Sequence, residues 1–347
     1  MRDEQRQKFI TQNGWGDATV TALPGDASRR RYFRLTPPNR LAAPGETRLV
    51  MDMPRHPEER FDEFILVANH LLRIGLSAPE VYAADAEHGF ALIEDFGEDM
   101  YGHMLHRGHD PLPLYRAAIG AMAELQKKSS RADLALADYD TGAMSGEIGW
   151  FIDWYAPMLW GRVATTGERD EFFAIVRGVF DGLPPLAPTL LLRDFHIDNF
   201  MWLPDRPGVR ACGILDFQDA KWGSPAYDLV SVLEDARRDI DPALARELYQ
   251  QFLNLRPEIP PADFAAHYAA MGMLRHARIL GNFIRLWVRD DKPRYLEFMP
   301  RVQRQFLNAL EHPVAAPLRA WCARYLPNVG EDLPMRPVEE LKRVMLA

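Results

Sequence analysis

Two short stretches carry side chains that could do chemistry together. "LLLRDFHIDNFMW" (Leu190 to Trp202) interrupts an apolar run with Arg193, Asp194, His196, Asp198 and Asn199, and "GILDFQDAKWGSPAYDL" (Gly213 to Leu229) sets Asp216 and Phe217 at the end of an apolar strand. Polar bursts between strand-like hydrophobics are loops at the rim of a core, where loops carry function. Asp194, Asn199 five positions on, and then Asp-Phe form the set that phosphoryl transfer requires. One carboxylate accepts the proton of the attacking hydroxyl, while an amide and a second carboxylate hold Mg²⁺ against the phosphates. Taken alone, the first stretch is also a polar turn capping a strand. His196 suits a metal-ligand role with Asp194 and Asp198, a hydrogen-bonded structural role, or a contact to the acceptor substrate. Asp219 either adds a carboxylate near the metal or shapes a turn. Asp228, ahead of "LVSVLED", suits a helix N-terminus.

The elements that position these loops divide by texture. Residues 3–12 read as a short helix, "ATVTALPG" and "RRYFRLT" as strands around the turn "GDASR" (Gly25 to Arg29), and "TRLVMDM" as a third strand. A helix follows across "PEERFDEFILVANHLLRIG", with Phe61, Phe64, Ile65, Ala68, Leu71 and Leu72 at helical spacing. "EVYAADAE" and "FALIEDF" make a hairpin at His88-Gly89. Beyond "DFGED" (Asp95 to Asp99) the chain reads mostly as helix, at 114–127, 149–159, 170–180, 243–253, 263–289 and 317–325, interrupted by strand character in "TLLLRD", "NFMWLP" and "RACGILDF". The expected class is α+β: a small five-stranded antiparallel N-terminal lobe and a large helical lobe with a cleft between them. The boundary is expected near residue 97, giving 1–97 as the nucleotide-binding lobe and 98–347 as the catalytic and substrate-binding lobe.

Bulk properties exclude several classes. With 47% hydrophobic residues, 347 positions can bury a sizeable core. The formal charge of −8 argues against broad attraction to nucleic acid or an anionic membrane. The two cysteines, Cys212 and Cys322, support neither a disulfide framework nor a zinc site. The N-terminus lacks the apolar core of a signal peptide and no segment suits a membrane span, so a cytoplasmic protein is expected.

The chain resembles the aminoglycoside phosphotransferase/choline kinase superfamily, whose fold is that of protein kinases. The resemblance rests on the five-stranded lobe, the "LIEDFG" linker (Leu92 to Gly97), "RDFHIDN", "LDF" and "GSPAYDL". More narrowly, "GDASRRRYFRL", "VMDMP", "RDFHIDNFMW" and "RILGNFIRLWVRDDKPRYLEFMPR" look like the bacterial anomeric sugar kinases that phosphorylate N-acetylmuramate and N-acetylglucosamine at C1 in cell-wall recycling. The resemblance implies ATP and Mg²⁺ as cofactors, Asp194 as base, and Asn199 and Asp216 as metal ligands. It also implies adenine held by the backbone around Glu94 to Phe96, and phosphates under the turn with Gly25 and Ser28. His196 and Asp228 hold positions usual in that family, Asp228 as a structural brace.

Two departures stand out. Leu192 and Arg193 replace the usual His and small residue ahead of the catalytic Asp, and "TRLVMDM" lacks the third-strand lysine that meets the α- and β-phosphates. Arg29, Arg30, Arg31 and Arg34 flank the turn, and an arginine fork binds phosphate well, so at least one is expected to replace it. For the acceptor, "GEIGWFIDWYAPMLW" (Gly146 to Trp160) is either an aromatic sugar platform including Trp154 or helix core, and Glu147 and Asp153 are candidates for sugar hydroxyls. Arg275 or His276 is a candidate for a lactyl carboxylate or acetamido group, against the default of a solvated arginine face. The expected partner is one small amino sugar, with no nucleic acid or membrane, acting on a monomer. Rival readings are a kinase for an aminoglycoside, choline, homoserine or methylthioribose, or a catalytically silent kinase-like binding protein.

Overall fold

Apolar residues that alternate with polar ones give a strand one buried face, and continuous apolar runs bury both; the computed structural model of the chain holds both kinds in one sheet, Phe33 and Leu35 alternating with less buried neighbours and Phe90 to Ile93 buried throughout. It describes residues 2–24, 30–38, 46–54, 56, 59–334 and 336–346. In chain order the elements are α1 (Arg2–Gln12), β1 (Thr19–Ala22), β2 (Arg31–Thr36), β3 (Arg48–Asp52), α2 (Phe61–Arg73), β4 (Val81–Asp85), β5 (Phe90–Glu94), α3 (Tyr101–His106) and α4 (Pro111–Lys128). Next come α5 (Thr141–Trp150), α6 (Ala156–Trp160), α7 (Thr166–Asp181), β6 (Thr189–Leu191), β7 (Phe200–Trp202), β8 (Cys212–Ile214) and β9 (Lys221–Gly223). Last are α8 (Tyr227–Leu233), α9 (Pro242–Leu255), α10 (Pro261–Val288), α11 (Met299–Leu310), α12 (Ala316–Tyr325) and α13 (Val338–Met345).

The expected α+β class holds: an antiparallel five-stranded sheet of order β1-β2-β3-β5-β4, followed by mainly helical chain. Two compact units divide the chain, residues 1–136 with 192–220, and residues 137–191 with 221–347. The sheet ends near the expected boundary at residue 97, but the compact unit runs further. It takes in α3, α4 and the β7–β8 hairpin, so both candidate chemical loops belong to the same unit as the sheet.

In the first unit the register Phe33↔Val50↔Leu92 lines up apolar residues on one face. With Leu35, Phe90 and the α1 residues Phe9 and Ile10 they form a buried core cluster, each large side chain stabilising by about 1.5–3 kcal/mol. The arginines of α1 clamp the sheet: Arg2 and Arg6 reach the fully buried carboxylate of Asp52 at 2.6 and 3.2 Å, and Arg6 lies 3.8 Å over the Phe33 ring. α2 lies against β4 and buries Phe61, Phe64, Val67, Ala68 and Leu71. Its chain turns away at Gly75, whose φ of 87° is left-handed.

In the second unit α10 is central and buried on most sides, packed on α5 and α11. The expected helix at 149–159 is part of a longer run: Asp140 caps α5 through the N–H of Ala143, and α5 passes into a π turn over Phe151–Tyr155 and then α6. Here the Ala156 N–H donates to the Phe151 carbonyl five residues back, and Pro157, having no N–H, leaves the Asp153 carbonyl without its helical donor. Gly281 is required where α10 crosses this run, since a Cβ there would sit 2.1 Å from the Trp150 carbonyl oxygen. Sequence reading missed β9, a three-residue strand paired with β6 and too short to show alternation, as well as α3, α11 and α13. No helix among the described residues is long and apolar enough to cross a membrane.

Both cysteines are buried, and burial pushes each thiol up to about 12. A thiol that stays protonated at pH 8 is not a nucleophile. Native protein is therefore expected to give no reaction with Ellman's reagent over minutes and two equivalents after unfolding in guanidinium. Labelling of either cysteine in the native state would contradict the packing around it.

Candidate active site

The loop after β6 is shaped by its backbone. Asp194 N–H donates to the Leu192 carbonyl at 2.9 Å around Arg193, whose φ is 70°. A two-residue closure at positive φ is a strained γ-type turn of the kind kept at functional sites. His196 N–H then donates to the Asp194 carbonyl at 3.1 Å, and Asn199 N–H to the His196 carbonyl at 2.9 Å. Phe195 anchors the loop from below, its ring centroid 4.5 Å from that of Phe200. Among the described residues, none hydrogen-bonds the Asp194 carboxylate.

Asn199 ties the two chemical loops together. Its amide Nδ2 donates to the Asp194 carbonyl at 2.8 Å, and its own carbonyl accepts from Leu215 N–H at 2.9 Å, one residue before Asp216. The β7–β8 pairing Phe200↔Ile214 sets that register. Because Nδ2 is used in the loop, the Asn199 Oδ1 makes no hydrogen bond with a described residue, and it is the atom that could serve a cation. Asp216 is also left-handed, with φ 56°, and the next residue, Phe217, is fully buried and stacked on Phe64 of α2 at 5.1 Å. The anchored ring fixes where the Asp216 side chain emerges.

Arg30 is the arginine that reaches this place. Its Nη2 donates to Asp216 Oδ1 and its Nη1 to Gln218 Oε1 at 2.9 Å, while Glu59 lies 3.9 Å from its Nε. Burial opposes the charge on Arg30, yet Tyr32, Asp216 and Glu59 together hold its pKa above the ordinary arginine value. Gln218 Nε2 donates to Asp216 Oδ1 at 3.0 Å. Asp219 pairs with Arg60 at 3.0 Å, which favours the structural of its two readings. Glu59, Arg60 and Gln218 escaped sequence reading. Gln218 had a signal in its place two residues after Asp216, whereas the other two meet the site only through the tertiary fold.

The other expected site residues divide. Gly25, Ser28 and Arg29 lie outside the described residues. Arg31 is engaged with Asp52 at 2.7 Å, and Arg34 with the buried Asp95 at 2.6 Å and with Glu98 at 2.9 Å. Neither is brought to Asp216 as Arg30 is. The Glu94 carboxylate accepts from Arg206, and the Arg206 guanidinium lies 5.1 Å over the Phe96 ring. That leaves backbone groups at this segment for a base, and the Phe96 N–H makes no hydrogen bond with a described residue. His196 Nε2 lies 3.3 Å from Asn199 Nδ2, which places it behind Asn199 as an orienting neighbour.

Within the second unit, Glu147 accepts from Tyr139 at 2.8 Å and Arg278 at 2.7 Å, and Asp153 pairs with Arg169 at 2.9 Å. Trp154 is half-buried in the π turn. Asp228 is fully buried in the first turn of α8. Arg275 is buried in α10, and its neighbour His276 is occupied by Glu234.

Among the described residues there is no group of three or more His, Cys, Asp or Glu able to hold a metal ion. The Asn199 and Asp216 pair fits Mg²⁺, which commonly takes one or two protein oxygens and completes its shell from phosphates and water.

The model of the family described as "phosphotransferase enzyme family" matches residues 19–269. A protein of Caulobacter vibrioides named N-acetylmuramate/N-acetylglucosamine kinase is 35% identical, covering 94% of this chain and 97% of its own. One of the same name from Pseudomonas aeruginosa is 34% identical, covering 89% and 88%. Among solved structures, the streptomycin–ATP ternary complex of the aminoglycoside phosphotransferase APH(2″)-IIa superposes with a TM-score of 0.58 at 14% identity, covering 90% of this chain and 97% of that one. Choline kinase from Cryptosporidium parvum gives 0.58 at 12% identity, covering 96% and 100%. The distant structures share the fold alone; the family match over most of the chain and the relatives at a third identity along nearly its whole length carry more, and the chain belongs to the phosphotransferase enzyme family.

Proposed function

We propose that the protein is an ATP-dependent kinase that phosphorylates the anomeric C1 hydroxyl of N-acetylmuramate and N-acetylglucosamine, giving sugar 1-phosphates in peptidoglycan recycling. The observation that carries the reading is the hydrogen-bonded knot of Asp194, Asn199 and Leu215–Asp216. The name of the relatives at 34–35% identity supports the sugar assignment. In this reading the Asp194 carboxylate orients the acceptor hydroxyl and takes its proton, while the C1–O–P bond forms and the bond to the departing ADP breaks. Asn199 and Asp216 would hold Mg²⁺, which when bound neutralises charge on the phosphate oxygens. Arg30 takes the place of the missing third-strand lysine. The backbone from Glu94 to Phe96 receives the adenine, and the turn with Gly25 and Ser28 covers the phosphates. The sheet-bearing residues 1–97 serve the nucleotide, the later chain the acceptor, with Glu147, Asp153 and Trp154 as sugar contacts. A cytoplasmic monomer fits the same reading.

The test is phosphorus NMR of the product made from either sugar with ATP and Mg²⁺. A resonance coupled to the anomeric proton is expected. A 6-phosphate would overturn the anomeric assignment. Turnover of choline or an aminoglycoside, with neither sugar phosphorylated, would replace the acceptor class.

A further inference from the structure

Gln218 is a neutral side chain set between two charges. It is 5% exposed, its Oε1 accepts from Arg30 Nη1 at 2.9 Å, and its Nε2 donates to Asp216 Oδ1 at 3.0 Å. Arg30 can only donate and an ionised Asp216 can only accept, so one orientation of the amide serves both partners. The reverse orientation would set amide nitrogen against guanidinium and amide oxygen against carboxylate. The chain on either side is fixed as well. Phe217 stacks on Phe64 at 5.1 Å, Ala220 N–H donates to the Phe217 carbonyl at 3.1 Å, and Asp219 pairs with Arg60 at 3.0 Å.

The two oxygens of Asp216 are thereby made different. Oδ1 receives Gln218 Nε2 and Arg30 Nη2, whereas Oδ2 makes no hydrogen bond with a described residue. The last torsion of an aspartate is broad and settles nothing by itself, so the donors on Oδ1 decide where Oδ2 points. The Asp216 side chain is 30% exposed and can be approached. Of the two donors, Arg30 is the less constant in the kinase reading, since there its guanidinium also meets phosphate. Gln218 carries no charge to be drawn toward a phosphate, and its burial holds it in place.

We propose that Gln218 is a positioning residue for the metal carboxylate: its amide fixes Asp216 through Oδ1, so that Oδ2 is kept for Mg²⁺ while Arg30 serves the nucleotide. The proposal rests on the kinase reading above, in which Asp216 is a metal ligand. Partners that orient a ligating carboxylate are worth about 10- to 100-fold in metal affinity or activity. In this role Gln218 acts through Asp216 and not on the reacting atoms.

The test is the affinity of the ADP-loaded protein for Mn²⁺, read by electron paramagnetic resonance, Mn²⁺ taking the same class of oxygen ligands as Mg²⁺. Gln218→Met keeps the length of the side chain and removes both hydrogen bonds. Its Mn²⁺ Kd is expected to rise about 10- to 100-fold, with the KM for N-acetylmuramate within about threefold of the natural value. In an Asp216→Asn background the same substitution should change the Mn²⁺ Kd by less than about threefold, because no carboxylate remains to be oriented. That comparison holds even if the melting temperature falls, since a general loss of packing acts in both backgrounds. Equal losses in the two backgrounds would assign Gln218 to packing and overturn the proposal. An ADP-loaded natural protein that holds no Mn²⁺ would overturn it outright.

Turnover separates this from the kinase reading. If the natural protein phosphorylates the sugars and Gln218→Met binds Mn²⁺ as tightly as the natural protein does, the positioning role falls and the kinase reading stands. If the natural protein phosphorylates neither sugar, yet Gln218→Met weakens Mn²⁺ binding only where Asp216 is present, the positioning role stands and the sugar assignment falls.

Discussion

Asp194→Asn is expected to lower kcat by about 10²-fold or more, within the 10²–10⁴ that a positioned base supplies, with the melting temperature unchanged. The expectation of an intact fold follows from the loop itself. Three of the hydrogen bonds that shape it run through the Asp194 backbone, whose carbonyl receives Asn199 Nδ2 and His196 N–H and whose N–H reaches Leu192. The carboxylate takes no part in that scaffold, so an isosteric amide removes proton acceptance and nothing else. The magnitude depends on the acceptor. An anomeric hydroxyl is more acidic than an ordinary alcohol and needs less help from the base, which sets the effect toward the lower end of the range. A tenfold drop corresponds to about 1.4 kcal/mol of barrier, so about 10² asks for roughly twice that from one proton transfer. Steady-state rates with saturating sugar, beside a thermal melt, decide it. A variant within threefold of the natural rate would remove Asp194 from the chemistry.

Much of this site was legible before any coordinates, for a physical reason. A loop that must present Asp194 and Asn199 from one side of a hairpin, and Asp216 from the strand paired with it, leaves a short-range trace: polar positions at fixed spacing beside apolar three-residue strands. The sheet was legible on the same ground, since Phe33 and Leu35 alternate with polar neighbours while Val50, Phe90 and Leu92 lie in short apolar runs, and register does the rest. The role of each arginine near the turn was not legible. Arg30, Arg31 and Arg34 are equivalent as letters, and what separates them is a partner far along the chain: Asp216 for the first, Asp52 for the second, Asp95 for the third. Glu147 and Asp153 read as candidates for sugar hydroxyls, and nothing local reveals that Arg278 and Arg169 engage them as well. Arg275 shows the converse. It read either as one member of a solvated stripe or as a contact for the acceptor, and its burial in α10 rules out the solvated reading.

Asp216→Asn should reduce kcat/KM by about 10²–10³, the scale of losing one preorganised electrostatic contact to transferring charge, and should raise the Mg²⁺ concentration for half-maximal rate. The substitution is structurally mild. Asn is among the residues that best tolerate the left-handed φ of 56° found here, and Phe217 on Phe64 keeps the loop anchored. The chemical change is the loss of one negative charge at a point where Arg30 and Gln218 converge. Glu59 at 3.9 Å then remains as a carboxylate neighbour of Arg30, and a cation held here as proposed would meet a neutral amide oxygen in place of a carboxylate. Two observables separate these consequences. A metal-ligand role predicts that excess Mg²⁺ recovers part of the rate, because a weakened site is refilled by mass action. If Asp216 served only to hold Arg30 in place, added Mg²⁺ would recover nothing and Arg30→Met would reproduce the whole defect. Rate against Mg²⁺ concentration for both variants gives the answer, and an unchanged Mg²⁺ dependence in Asp216→Asn would remove Asp216 from the metal site.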